Sequence, residues 1–141
     1  MSKLIYLYDK KGWEKCWRIY GAAVLERMRK YDARRTSNES CSHDIAVTCR
    51  GQSMTYNGLS RHVKALAASV PCQEAAIGIW MDNSIFYLEA YFAIIYSGNI
   101  VVPLNPKLSG REIRNIGVDC GMKGLMSVGK YRERVESLEL S

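Results

Sequence analysis

Four sets of side chains have the types to do chemistry. Cys41, His43 and Cys49 are suitable zinc donors, but no fourth ligand stands at a plausible spacing, so they are read as loop residues and one buried strand cysteine. His62 is the natural general base of the chain. It lies beside the apolar stripe of a predicted helix, with no evident Ser, Cys or paired carboxylate partner, which favours a surface or packed residue. Gly121-Met122-Lys123-Gly124 sets a lysine among glycines, yet it is too short and too poor in hydroxyls to wrap a phosphate. Trp13, Trp17 and Trp80 offer rings on which nucleic-acid bases stack, but two fall on a helical stripe and one in a strand, so packing is the expected use. There is no glycine-rich dinucleotide fingerprint and no Walker sequence. The expectation is that no residue of this chain is catalytic, cofactor-binding or metal-ligating.

The bulk properties bound the class of the chain. A chain of 141 residues, 48% hydrophobic, is long enough for one domain with a real core. Its net charge of +6 raises the question of an acidic partner. Residues 1–40 carry +5 of that excess, so neither a nucleic acid nor a membrane is expected as a partner. Five scattered cysteines, Cys16, Cys41, Cys49, Cys72 and Cys120, form an odd set unlike a disulfide framework and are read as reduced thiols of a cytoplasmic protein. The opening residues have too short an apolar run for a secretory signal. Asn38-Glu39-Ser40 fits the glycosylation pattern, which has no meaning in the cytosol. The apolar stretch 84–104 is nearly long enough to span a bilayer. Glu89 interrupts it, Ser97-Gly98-Asn99 is turn chemistry, and Ile100-Val101-Val102 before Pro103 reads as a strand, so a buried helix, a turn and a buried strand are expected instead.

The elements that would position these residues follow from periodicity. Trp13, Trp17, Tyr20, Val24, Met28 and Tyr31 share one face of a predicted helix whose other face is basic. A polar loop follows. Ile45 to Cys49 and Ser53 to Thr55 form a predicted hairpin around Arg50-Gly51-Gln52. Thr55 caps a helix carrying Tyr56, Leu59, Val63, Leu66 and Val70 and stopped by Pro71, with Gly58 weakening its start. Next come a strand over 76–81, a helix over 85–96 ending at Gly98, and a strand over 99–104. A capping box at Ser109 and Glu112 opens a helix to Asp119, followed by a strand over 124–128 and a last helix over 131–140 with Tyr131, Val135 and Leu138 as its apolar side. Strands alternating with helices predict an α/β fold with a mostly parallel sheet. The expected layout is a basic amphipathic extension (1–35), an α/β subdomain (36–128) and a carboxy-terminal helix (129–141).

Two segments are more specific than generic α/β patterning. Met54-Thr55-Tyr56-Asn57-Gly58-Leu59 resembles the Leu-Thr-Tyr-x-Glu-Leu signature of adenylate-forming enzymes, the acyl-CoA synthetases and nonribosomal peptide synthetase adenylation domains. The run from Ile94 through Gly98 and Pro103 to Asn105 and Pro106 resembles their Leu-Lys-Ala-Gly-x-x-Tyr-Val-Pro-Leu-Asp-Pro signature. Ala76 to Ser84 and Leu108 to Met126 are similar to the intervening and following elements, so the resemblance covers 33–127 in order. Departures stand at Gly58, Tyr96, Ser97 and Asn105, where the family more often has Glu, Lys, Ala and Asp.

The resemblance implies an amino-terminal portion of the adenylate-forming fold. It also implies what this chain lacks: the Ser/Thr/Gly-rich phosphate loop ending in Pro-Lys-Gly, the adenine-stacking segment, the ribose-binding Asp, the hinge and the carboxy-terminal domain with its catalytic Lys. The expected role is therefore the scaffold half of a split enzyme that activates a carboxylic or amino acid as acyl-AMP. ATP and Mg would enter only in the complex completed by a complementary chain, and a carrier protein is a candidate thiol acceptor. The alternative is a non-catalytic interaction or regulatory module that closes its own sheet edge by self-association.

Overall fold

The computed structural model describes residues 44–70 and 74–138. The expected helix bearing Trp13 and Trp17 lies outside them, as do Cys41, His43, Pro71, Cys72 and residues 139–141.

The chain enters through an antiparallel hairpin of β1 (Ile45–Cys49) and β2 (Gln52–Thr55). Arg50 and Gly51 both have positive φ, 49° and 79°, and Cys49 pairs with Gln52. This is a two-residue turn of the I′ kind, whose twist matches that of the flanking strands. Gln52 is therefore the first residue of β2 rather than part of the loop. Further out the register slips between Ile45 and Val47, leaving Ala46 as a bulge.

The hairpin delivers Thr55 to the start of α1 (Tyr56–Ala67), where its Oγ1 accepts a hydrogen bond from the Gly58 amide at 3.1 Å. Glycine at 58 has a packing reason as well as a cost. A Cβ there would lie 3.2 Å from Met54 Cγ and 3.4 Å from Thr55 Oγ1, tighter than ordinary contact. The helix stops at Ala67, three residues before the expected end at Val70, and closes with a turn in which the Ser69 and Val70 amides donate to the Leu66 and Ala67 carbonyls. Val70 precedes a proline, and that position is driven out of the α region.

A three-stranded parallel sheet of order β4-β3-β5 forms the centre. Strand β3 (Ala76–Trp80) is buried along its whole length between β4 (Ile100–Leu104) and β5 (Met122–Ser127). Its glycine allows the neighbours to close in. A Cβ on Gly78 would fall 2.5 Å from Met122 Sδ and 2.8 Å from Leu125 Cδ1, both on β5, and 3.1 Å from Leu104 Cδ1 on β4. Strand β5 begins two residues earlier than the apolar pattern suggested, because Met122 and Lys123 continue pairing beside Ala76 through a local bulge.

Helix α2 (Ile85–Tyr96) starts where Ser84 Oγ accepts from the Tyr87 amide at 3.1 Å. It ends in a Schellman closure: the Gly98 amide donates to Ile95 O and the Asn99 amide to Ile94 O, both at 3.0 Å, with Gly98 at φ 79°. Asn99 then sets the entry to β4, its Oδ1 accepting from the Ala75 amide at 3.0 Å. The apolar stretch 84–104 is thus a cap, a helix, a turn and a strand. Among the described residues no helix is long and apolar enough to cross a membrane.

Helix α3 (Gly110–Asp119) opens with the expected capping box, in which the Ser109 amide donates to Glu112 Oε2 at 2.7 Å and the Glu112 amide to Ser109 Oγ at 3.4 Å. The Ser109 hydroxyl and amide hold the Glu112 carboxyl below its ordinary range. The expected last helix begins as a 3₁₀ turn, Gly129–Tyr131, followed by the short α4 (Arg132–Glu136). Its anticipated apolar residues serve as foreseen: Tyr131 and Leu138 are buried in the same core cluster as Ile77, Ile79 and Trp80, with Val135 packed against it. A second cluster, Leu59, Val63, Ala67, Phe92 and Ala93, joins α1 to α2.

Two of the three side-chain caps among the described residues give a direct test of this local account. Thr55→Ala and Ser109→Ala should each cost about 1 kcal/mol of stability. The measurement is the urea midpoint, which should fall with the m-value unchanged.

Candidate functional site

Ligands of open parallel sheets bind outside the carboxyl ends of the strands, where the strand order reverses. Here the reversal falls at β3, with β4 on one side and β5 on the other. The residues gathered at that end are Trp80, the last of β3, and Asp82 beyond it, Asn105 to Leu108 after β4, and Ser127, the last of β5, with the segment on to Arg134.

They are bonded to one another. Ser127 Oγ donates to the Trp80 carbonyl at 2.6 Å, joining the ends of β3 and β5. Asp82 accepts from Lys130 Nζ at 2.6 Å through Oδ2 and from the Tyr131 hydroxyl at 3.0 Å through Oδ1. The Arg134 guanidinium lies 4.4 Å from the Trp80 ring centroid and 5.3 Å from that of Tyr131. Its two terminal nitrogens donate to the carbonyls of Pro106 at 3.2 Å and Leu108 at 2.9 Å. One arginine thereby fastens the loop after β4, the end of β3 and the terminal helix. Trp80 is fully buried, and its Nε1 has no acceptor among the described residues.

The ionisable groups are shifted by these contacts. The hydrogen bond from Lys130, then that from Tyr131, hold the Asp82 carboxyl below its ordinary value of 3.8. Asp82 in turn raises Lys130, while burial first and Asp82 second raise the Tyr131 phenol. Because the folded state prefers the Asp82 carboxylate, its contribution is complete above the ordinary value of 3.8 and is lost as pH falls through the lower folded value. The stability difference between the wild type and Asp82→Asn should therefore be constant from pH 7 to about 5 and shrink below about 3.8. Urea midpoints of both proteins at pH 6 and pH 3 measure it.

The residues singled out by type are dispersed. His62 lies on α1 and is not without a carboxylate partner, as the sequence suggested: its Nδ1 is 2.7 Å from Glu89 Oε1 on α2. The missed signal was Glu89 itself, since a carboxylate inside an apolar helix, here with its side chain 11% exposed, requires a polar partner. The pair ties α1 to α2, and nothing nucleophilic joins it in the contacts just described. Cys49 sits in β1, and among the described residues no group of three or more His, Cys, Asp or Glu converges to hold a metal. Gly121 is a turn residue at φ 62°, and Met122 to Gly124 are the first residues of β5 rather than a phosphate loop. Burial pushes the Cys120 thiol up, away from the reactive thiolate. Burial also pushes the Tyr87 phenol up to about 12.

The signature residues have local duties. Thr55 caps α1 and Gly98 makes the Schellman turn. Pro103 lies on the edge strand β4 opposite Ile79, a position where a missing amide is tolerated.

Comparison with known proteins fits this geometry. The family model described as AMP-binding enzyme matches residues 33–140, extending the resemblance through the last helix. Nonribosomal peptide synthetase gloA of Glarea lozoyensis is 31% identical over 93 residues, which is 62% of this chain and 1% of that protein. Fatty acid--[acyl-carrier-protein] ligase ScoC of Streptomyces coeruleorubidus is 29% identical over 101 residues, 66% of this chain and 19% of that one. Among solved structures, apo MatB from Rhodopseudomonas palustris superposes with a TM-score of 0.63 at 20% identity, over 75% of this chain and 22% of its own. The chain thus spans about a fifth or less of the curated relatives named here, and the superposition establishes the shared fold. On the match across 33–140 and the shared architecture, the chain belongs to the AMP-binding enzyme family, of which it carries an amino-terminal portion of the adenylate-forming fold.

Proposed function

We propose that this chain is the framework component of an assembly that activates a carboxylic or amino acid as acyl-AMP for thioester formation, with the catalytic groups on a complementary chain. The supporting observation is the local use of three residues of the family signatures. Thr55, Gly98 and Pro103 serve as a cap, a turn and an edge-strand residue, each for a structural reason that involves no ligand.

The contacts at the carboxyl ends of the strands support a chain that takes no nucleotide by itself. Lys130 is paired with Asp82, Arg134 is bound to two carbonyls, and the Trp80 face lies under that guanidinium. ATP and Mg accordingly belong to the completed complex, and the partner supplies the groups that bind them. The overall reaction joins a carboxylate to the α-phosphate of ATP with release of pyrophosphate. A thiol of coenzyme A or a carrier protein then displaces AMP. The sheet offers such a partner an edge: among the described residues β5 is flanked by β3 on one side only, and Leu125 and Met126 remain half-buried.

ATP–pyrophosphate exchange tests this with a panel of carboxylic acids and light scattering for mass. The candidate partner is a polypeptide bearing a Ser/Thr/Gly-rich phosphate loop. Exchange at an enzymatic rate, on the order of 1 s⁻¹ or faster, is expected only in the mixture and only with a heteromeric mass. Exchange by the single chain would contradict the proposal. An inactive homo-oligomer that ignores the partner would favour the non-catalytic interaction module instead.

A further inference from the structure

We draw no further inference here: the strongest candidate, the outer edge of β5 with half-buried Leu125 and Met126, already serves the proposed partner contact, and nothing in the structure shows what covers it.

Discussion

Trp80→Ala should lower the unfolding free energy by about 3–5 kcal/mol, the largest stability effect expected of any single substitution considered. Trp80 is fully buried at the carboxyl end of β3, between the Tyr131 ring at 5.5 Å and the Arg134 guanidinium at 4.4 Å. Truncation removes apolar burial, leaves a cavity where β3, β5 and α4 meet, and cancels a cation–π contact of about 0.5–2 kcal/mol. Domains of this size have only about 5–15 kcal/mol to lose. Chemical denaturation followed by far-ultraviolet circular dichroism should therefore find the variant partly unfolded without denaturant, or with a greatly reduced midpoint.

Trp80→Phe separates ring packing from mere bulk. It keeps a ring under Arg134 and removes the buried Nε1 donor, whose lack of an acceptor costs about 1–3 kcal/mol. Its loss should be less than half that of the alanine variant. Near-equal stability of Trp80→Ala and the wild type would show that the carboxyl end of the sheet is not held as described.

Local rules account for most of what the amino-acid order revealed. Thr55, Gly98, Ser109 and Glu112 each act within four residues of their own position, as caps or a turn, so their roles were legible without knowledge of the fold. The alternation of apolar runs with cap residues likewise announced a parallel α/β sheet. What escaped was long-range. Glu89 meets His62 across a separation of 27 residues, and Tyr131 meets Asp82 across 49. Neither spacing has a periodic signature. Arg134, which no local pattern singles out, spans the ends of β3 and β4. The early start of β5 was hidden for a different reason. Met122 and Lys123 enter through a bulge, which breaks the apolar run that marks a strand.

The candidate site was legible mainly by elimination. The zinc donors weighed, Cys41, His43 and Cys49, lacked a fourth ligand at a plausible spacing, and of the three Cys49 lies among the described residues, as a free thiol in β1. Residue types and spacing also argued against a phosphate loop at 121–124, which proves to be a turn running into a sheet strand. The crevice at the carboxyl ends could not be read this way. It assembles from three separate loops, and sequence alone does not reveal that its cations are already engaged.

The second large effect concerns the triphosphate itself. Micromolar affinity amounts to about 8 kcal/mol of binding free energy, which for a nucleotide requires aligned backbone amides, a bound cation or free basic side chains. At the carboxyl ends of the strands, Lys130 is paired with Asp82, and Arg134 donates to the Pro106 and Leu108 carbonyls. The most direct test is isothermal titration of the purified 141-residue chain with MgATP, alone and after addition of a partner that confers exchange activity. The account predicts no saturable heat from the chain alone up to millimolar nucleotide, and saturable binding once the partner is present. A micromolar Kd for the chain by itself would contradict it.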